Sequence, residues 1–304
     1  MKLSEIPMAD WQVIRDGEFL SLGLCGARPS VPILTFAGSE KYLKNAVRNP
    51  DVSCILCPPE LAASDLIRTS GKGICTCENI RVGFFKFHNE LAKGDISEGY
   101  LRGVFPVKIG RNAAISAGAI LDSENIIIGD NAVIEPFVRI HANVQIGENS
   151  IIRSGTILGG TGLEFIRTDD GGILPVTHCG GLVIGKNVEI QYNCNVSRSL
   201  FPWDDTVIGD DTKIESLVHV AHGVKIGQRN LIAACACIGG SAELGNDIWV
   251  GPNATISSEV KVDDHSRISL GAVVVGNVER GQTVTGNFAM NHEQFMQDQL
   301  RKML

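Results

Sequence analysis

The chain has 304 residues, a net charge of −7, 44% hydrophobic residues and only 6% aromatic residues. The net negative charge does not indicate a nucleic-acid-binding protein. The length favours two domains or one extended repeat structure over a single ordinary core. Scarce aromatics and 34 glycines favour a β structure of small and β-branched side chains with many tight corners. No cationic leader precedes an apolar run and no stretch approaches 18 apolar residues, so we expect a cytoplasmic protein without a membrane span.

The first part of the chain alternates strand-like and helical segments. The runs FLSLGL, PILTF, VSCILC and GICTC predict strands, whereas SEKYLKNAVRN, PELAASDLIRT and NIRVGFFKFHNELAK predict helices. We therefore expect a small α/β domain over residues 1–100.

Nine cysteines are present. Cys54 and Cys57 form a C-x-x-C inside a strand-like run, but no second C-x-x-C or C-x-x-H lies at the spacing of a zinc site. We interpret the cysteines as reduced, small hydrophobic residues of a cytosolic protein and predict no metal site.

Residues 101–285 carry an internal repeat of six residues. An aliphatic residue recurs at every sixth position, with one extra residue before Ile128, and the register resumes after two breaks. All positions of the series are Ile, Leu or Val: Ile109, Ile115, Leu121, Ile128, Ile134, Ile140, Ile146, Ile152, Leu158, Ile184, Ile190, Val196, Ile208, Ile214, Val220, Ile226, Ile232, Ile238, Leu244, Val250, Ile256, Val262, Ile268 and Val274.

A period of six fits neither a helix nor an ordinary strand. Short strands joined by Gly, Asn or Asp corners, three per coil, predict a β-solenoid in the form of a triangular prism. Residues 18 apart then stack at roughly 4.8 Å. Each buried aliphatic side chain contributes roughly 1.5–3 kcal/mol. The period does not determine the handedness.

Two excursions interrupt the repeat, at residues 159–183 and 197–205. Long excursions from a regular solenoid are usually functional or interfacial, so a lid, a subunit contact and a functional role all stay open. Residues 286–304 leave the repeat and predict a terminal helix. We expect its apolar side to cap the prism or to pack on a neighbour; that side consists of Phe295, Met296, Leu300 and Met303.

Three stretches carry a family resemblance: PILTFAGSEKYL, SRSLFPWDDTVIG and, most specifically, HVAHGVKIG. They resemble the hexapeptide-repeat acyltransferase superfamily, and the whole chain looks most like the UDP-3-O-(3-hydroxyacyl)glucosamine N-acyltransferases of lipid A biosynthesis. The resemblance implies a left-handed parallel β-helix and a homotrimer with active sites between subunits. It also implies transfer of an acyl group from acyl carrier protein to the amine of a nucleotide-linked amino sugar, without a tightly bound cofactor.

The same resemblance implies substrate-binding roles. Phe36, Ser39 and Tyr42 fall on the family's uridine-binding stretch, with Ser39 where the family usually has Asn. Arg198 is kept from the family's segment around the second excursion. His219 is expected near the substrate, because the related O-acyltransferases carry H-x-A-H at this point.

N-acyl transfer needs a base for the attacking amine and donors for the developing oxyanion. Histidine is the natural base near neutral pH, and His222 falls at a corner of the predicted prism. One coil on, the repeat stacks Gly240 over it. The resemblance implies that Gly240 supplies the oxyanion donor and that Glu215 orients the histidine, as carboxylates do in hydrolytic triads.

Some residues depart from the family. Thr161, Leu163, Glu164 and Phe165 differ from the usual Gly-rich loop, and Glu259 stands near the place of a further family histidine. We assign no role to His141, His178, His265 and His292.

Three alternatives stay open. A nucleotide-amino-sugar N-acetyl- or N-acyltransferase of surface-polysaccharide synthesis would use acyl-CoA, whereas an acidic carrier protein would need a basic patch. The candidates for that patch are Lys225, Arg229, Arg301 and Lys302. A zinc-dependent hexapeptide enzyme would need three protein ligands, and no third histidine stacks beside the H-x-x-H. A non-catalytic scaffold would tolerate replacement of His222.

Overall fold

The computed structural model describes residues 1–96, 99–286 and 288–303. Residues 97–98 of the expected first domain, and residues 287 and 304 and the side chain of Met303 in the expected terminal segment, lie outside this description. None of the described helices is long and apolar enough to cross a membrane.

The expected α/β domain is present at the N-terminus. Its parallel strands β2 to β5 are joined by an antiparallel edge strand β1, in the order β1-β5-β4-β3-β2. The strands are β1 (Gln12–Arg15), β2 (Ser21–Leu22), β3 (Ile33–Phe36), β4 (Val52–Cys57) and β5 (Gly73–Thr76). A 3₁₀ turn at Leu3–Glu5 precedes them, and the helices are α1 (Glu40–Arg48), α2 (Pro59–Ala62), α3 (Asp65–Ser70) and α4 (Ile80–Ala92).

The repeat forms a prism of three parallel sheets, which we call faces A, B and C. Face A consists of Ala114–Ile115, Val133–Ile134, Ile151–Ile152, Glu189–Ile190, Lys213–Ile214, Leu231–Ile232, Trp249–Val250, Arg267–Ile268 and Thr283–Val284. Face B consists of Ile120–Leu121, Arg139–Ile140, Ile157–Gly160, Asn195–Ser197, His219–Val220, Cys237–Ile238, Thr255–Ile256 and Val273–Val274. Face C consists of Lys108–Ile109, Ile126–Ile128, Val144–Ile146, Gly181–Ile184, Asp205–Ile208, Lys225–Ile226, Glu243–Leu244 and Lys261–Val262.

The predicted aliphatic series is the core of this prism. From Ile128 to Val274 every member of the series is buried in one continuous cluster, and Ile115 and Leu121 pack against it. Ile109 differs because it lies in the first coil, where no further coil covers it, and it is 57% exposed. The fold is a left-handed parallel β-helix, as the resemblance implied.

The corners are built from residues with left-handed backbone conformations. Asn131 and Asn149 have φ values of 56° and 58°, a region that Asn tolerates better than most residues. Their side-chain amides also hydrogen-bond in a ladder along the prism, at 3.1 Å between Asn131 and Asn149 and 3.2 Å between Asn149 and Asn187. Stacked Asn corners thus fix the turn and link successive coils.

Both excursions leave the corner between faces B and C and pack against the N-terminal domain. The first contains an antiparallel hairpin, Phe165–Arg167 with Ile173–Pro175. Ile166 and Val176 of the first excursion and Leu200 and Phe201 of the second are buried in the core of the N-terminal domain. The excursions are therefore structural contacts between the domain and the prism.

Polar contacts fix the same interface. The indole N–H of Trp203 donates to the carbonyl oxygen of Leu22 at 2.8 Å. His88 of α4 lies 2.7 Å from the carbonyl oxygen of Thr177 through Nε2, and 2.7 Å from the Tyr100 hydroxyl through Nδ1. Since a carbonyl only accepts, Nε2 carries a proton, and burial lowers the pKa of His88, which favours the neutral imidazole.

A last helix, α5 (His292–Met303), follows the prism. Its apolar residues Phe295, Met296 and Leu300 are exposed in the single chain, so packing on a neighbour stays a prediction. The cysteines are all free thiols. Most are buried, as expected, but Cys235 is exposed because it lies at the left-handed corner between faces A and B.

Candidate active site

His222 lies at the corner between faces B and C, two residues after the strand His219–Val220. Its side chain is 19% exposed. A Cβ placed on Gly240 would lie only 3.0 Å from Nε2 of His222, and the N–H of Ser241 donates to the carbonyl oxygen of His222 at 2.9 Å. The stacking predicted from the repeat is therefore present, and the missing side chain at Gly240 leaves space beside Nε2.

The backbone N–H of Gly240, the residue beside that space, is left without a partner by its neighbours. The N–H groups of its neighbours Gly239 and Ser241 donate to the carbonyl oxygens of Ile256 and His222. Within the part of the chain that the structure describes, the N–H of Gly240 has no protein acceptor. A free N–H beside a base is the arrangement that stabilises an oxyanion in acyl transfer.

A carboxylate that sequence reasoning did not select lies next to His222. Oε2 of Glu164, in the first excursion, is 3.7 Å from Nε2 of His222, and its Oε1 is 3.3 Å from Nη2 of Arg81 at the start of α4. The Glu164 side chain is 17% exposed. The only sequence signal was that Glu164 departs from the family's loop, which does not show where the side chain lies.

His178 is a second residue that the sequence analysis left without a role. Its ring centroid is 5.5 Å from that of His222. Its Nε2 accepts the N–H of Gly162 at 3.3 Å, and its Nδ1 lies 3.2 Å from the carbonyl oxygen of Val176. Burial first, and then the neighbouring His222, lower the pKa of His178 to about 4. His178 is therefore a neutral clamp that holds the loop over the site.

Glu215 lies away from His222 in the structure. It opens the corner between faces A and B, and its carboxylate accepts the N–H of Ala234 at 3.0 Å. It borders a shallow depression on face A together with Leu231 and Trp249. The expectation that Glu215 orients His222 is not met within one chain, because the two residues lie at opposite ends of the strand His219–Val220. A contact between them requires a neighbouring subunit.

Arg198 supports the loop beside the site. Its Nε donates to the carbonyl oxygen of Gly159 at 2.6 Å, and its backbone N–H donates to that of Gly160 at 3.0 Å. The residue is half-buried, and burial is the main cause that lowers the pKa of its guanidinium group. In this structure Arg198 therefore holds the first excursion where it leaves the prism.

His219 faces outward on face B, between the stacked residues Asn195 and Cys237. Partial burial, and then the nearby His222, lower its pKa. Among the described residues, no group of three or more His, Cys, Asp or Glu is placed to hold a metal ion.

The expected uridine-binding residues lie where β3 leads into α1. Phe36 is half-buried and packs against Phe84 of α4, with 4.9 Å between ring centroids. Ser39 precedes α1 and is exposed, and Tyr42 is 51% exposed. Helix α4 thus contacts Phe36 through Phe84 and Phe85, and Glu164 through Arg81.

Comparison with known proteins identifies the family of the chain. The bacterial transferase hexapeptide model (six repeats) matches residues 125–160 and 205–240, which are coils on both sides of the first excursion. A UDP-3-O-acylglucosamine N-acyltransferase from Coxiella burnetii is 30% identical over 257 residues, which cover 76% of this chain and 72% of that protein. The chain belongs to this family. The sequence-based assignment to the hexapeptide-repeat acyltransferases is confirmed.

Two further relatives agree. The UDP-3-O-acylglucosamine N-acyltransferase of Bordetella pertussis is 33% identical over 158 residues, which span 51% of this chain and 43% of that family member. The structure of a UDP-N-acetylglucosamine acyltransferase from Campylobacter jejuni matches with a TM-score of 0.53 and 27% identity, covering 60% of this chain and 68% of that one. Both place the chain among nucleotide-sugar acyltransferases with a β-helical body.

Proposed function

We propose that the chain transfers an acyl group from a carrier thioester to the amine of a 3-O-acylated UDP-glucosamine, a step of lipid A biosynthesis. The observation that carries this proposal is the pairing of His222 with Gly240, which puts an imidazole nitrogen 3.0 Å from the space above a glycine with a free N–H. The family relatives named for this reaction support the choice of acceptor.

In the proposed reaction the neutral amine attacks the thioester carbonyl carbon, and a C–N bond forms. His222 takes the proton that the amine loses, and the N–H of Gly240 stabilises the negative oxygen of the tetrahedral intermediate. The C–S bond then breaks, and His222 returns a proton to the departing thiolate. The products are the amide and the free carrier thiol.

The substrate-binding proposal extends to the N-terminal domain. Ser39 and Tyr42 are exposed at the start of α1, beside the half-buried ring of Phe36. These residues offer a stacking surface and hydroxyl groups to a nucleobase, which supports a uridine site. We place Arg198 and His219 near the acceptor because both lie on the coil that carries or precedes His222.

The proposal includes a cytoplasmic homotrimer with acyl carrier protein as donor. Glu215 would then act on His222 from a neighbouring subunit. The exposed helix α5 supplies an apolar side for a contact and, in its last turn, the positive charges of Arg301 and Lys302. Acyl-CoA remains the alternative donor.

The test is mass spectrometry of the products. The protein is incubated with 3-O-acylated UDP-glucosamine or with a simple UDP- or dTDP-amino sugar, each with an acyl-carrier-protein or acyl-CoA thioester. We expect an amide only with the 3-O-acylated acceptor and the carrier-protein thioester. Amide formation on a simple amino sugar with acyl-CoA would favour the surface-polysaccharide alternative, and no product from any pair would contradict acyl transfer.

A further inference from the structure

The Glu164 carboxylate faces the nitrogen of His222 that does the proposed chemistry. Nε2 is the ring atom beside the space above Gly240, and it is also the atom 3.7 Å from Oε2 of Glu164. In hydrolytic triads the orienting carboxylate binds the other ring nitrogen. Glu164 therefore does not occupy the position of a triad carboxylate.

The Glu164 carboxylate and the His222 imidazole instead face the same space above Gly240. An acceptor that loses a proton to Nε2 must bring its nucleophilic atom into the gap between His222, Gly240 and Glu164. An amine of this kind is largely an ammonium ion at neutral pH, whereas a hydroxyl is neutral. A negative charge at this point binds an ammonium ion more tightly than a neutral hydroxyl.

Resting on the proposed function, we propose that Glu164 binds the ammonium group of the acceptor and makes the site select an amine over a hydroxyl. The ammonium ion first passes one proton through His222 to solvent, and the carboxylate stabilises the imidazolium that forms in between. The neutral amine then attacks the thioester, His222 takes the proton that the amine loses, the C–S bond breaks, and the thiolate takes that proton from His222. One proton is released to solvent for each amide formed from an ammonium ion.

The surroundings of Glu164 suit this role. Its Oε1 is engaged by Arg81 at 3.3 Å, which leaves Oε2 directed at the reaction space. Arg81 is itself 59% exposed, so solvent screens its charge and it does not cancel that of the less exposed carboxylate. The loop that carries Glu164 is fixed by the hydrogen bond from the Gly162 N–H to His178.

The experiment compares wild type with Glu164→Gln, which keeps the shape and removes the charge. KM and kcat are measured for 3-O-acylated UDP-glucosamine, and the inhibition constant is measured for 3-O-acylated UDP-glucose, which carries a hydroxyl in place of the amine. We expect the KM of the amine substrate to rise roughly 10- to 100-fold, because a charge-assisted contact is lost. The inhibition constant of the hydroxyl analogue should stay within about twofold, since it carries no charge.

Two variants serve as controls. Glu164→Asp keeps the charge and should retain selectivity for the amine. Glu279→Gln makes the same charge change at an exposed residue of the last coils, whose side chain makes no hydrogen bond or ion pair among the described residues, and both constants should match wild type.

The outcomes separate the two proposals. If wild type forms no amide, the proposed function fails. If wild type forms the amide but Glu164→Gln leaves the KM unchanged, or weakens both ligands equally, the role of Glu164 is overturned while the function stands.

Discussion

The regular coils and the two excursions have different structural roles in the same chain. In the coils, one aliphatic side chain per hexad enters a continuous core, and stacked corners such as Asn131 and Asn149 hold the spacing. The excursions insert Ile166 and Phe201 into the core of another domain and bring Glu164 to His222. The coils therefore supply a fixed distance between His222 and Gly240, and the excursions supply the surroundings of that pair.

The coils therefore determine the stability of the fold, and the excursions determine the chemical surroundings of the site. A substitution in the aliphatic series lowers the stability of the prism. A substitution in an excursion can instead change which acceptor binds, without disturbing the stacking of the coils. Four departures from the family, Thr161, Leu163, Glu164 and Phe165, fall in the first excursion, whereas Ser39 and Glu259 lie outside it.

The largest expected effect is on stability in the coils. Ile226 is 2% exposed in the prism core, and Ile226→Ala should lower the free energy of unfolding by about 2–5 kcal/mol. Ile173, in the excursion hairpin, is 60% exposed, and Ile173→Ala should change it by less than about 0.5 kcal/mol. Denaturant unfolding measures both, and equal losses would contradict the separation.

The second prediction concerns the clamp at His178. Its pKa is about 4 in the folded protein, whereas an unfolded histidine titrates near 6.5. Between these values the unfolded state binds more protons, so the contribution of His178 to stability is lost as the pH falls from about 6.5 to 4.

His178→Asn should therefore remove part of the acid destabilisation. Between pH 7 and pH 4.5 the variant should lose roughly 2–3 kcal/mol less free energy of unfolding than wild type. Denaturant unfolding at the two pH values provides the measurement. An identical pH dependence in both proteins would show that His178 is not held neutral.

The third prediction tests the stacked pair. A Cβ at Gly240 meets Nε2 of His222 at 3.0 Å, so Gly240→Ala should lower kcat/KM by about 10- to 100-fold with little change in Tm. Gly276 lies at the same corner two coils on, with no atom within 4 Å of its added Cβ. Gly276→Ala is the matched control and should have wild-type activity. Equal activity in the two variants would refute the assigned geometry.

The smallest expected effect is at the domain interface. Arg81→Ala removes the exposed partner of Glu164, and because exposed ion pairs contribute only about 0.2–1 kcal/mol, kcat/KM should fall no more than about fivefold. Lys86→Ala, on an exposed position of the same helix, is the control and should leave kcat/KM unchanged. A loss as large as that of Gly240→Ala would mean that Arg81 contacts the substrate.

The sequence predicts the coils well because each coil is determined by residues that lie close together in the chain. A six-residue period sets strand, corner and stacking at once, so Gly240 could be placed on His222 by counting along the chain. The N-terminal α/β domain followed from ordinary strand and helix patterns. Ile109 is exposed because it lies at the end of the prism, which the period does not mark. Cys235 is exposed because it occupies a corner of the repeat, whereas the prediction for the cysteines rested on residue type alone.

The excursions could not be predicted in the same way, since their contacts join distant parts of the chain. Glu164 meets Arg81 and His222 only after the hairpin has packed on α4, and no spacing in the sequence encodes that. His178 was likewise set aside because its partners, Gly162 and Val176, belong to an irregular loop. Glu215 was placed beside His222 by resemblance, and the prism separates them within one chain.

The central claim is that His222 is the base of an acyl transfer carried by the prism. The most direct measurement is the rate of amide formation by His222→Ala beside His265→Asn, which replaces an exposed corner histidine with a φ of 61° by a residue that tolerates this conformation. We expect His222→Ala to lose at least about 10² in rate with an unchanged Tm, and His265→Asn to match wild type. A rate for His222→Ala within about threefold of wild type would contradict the account.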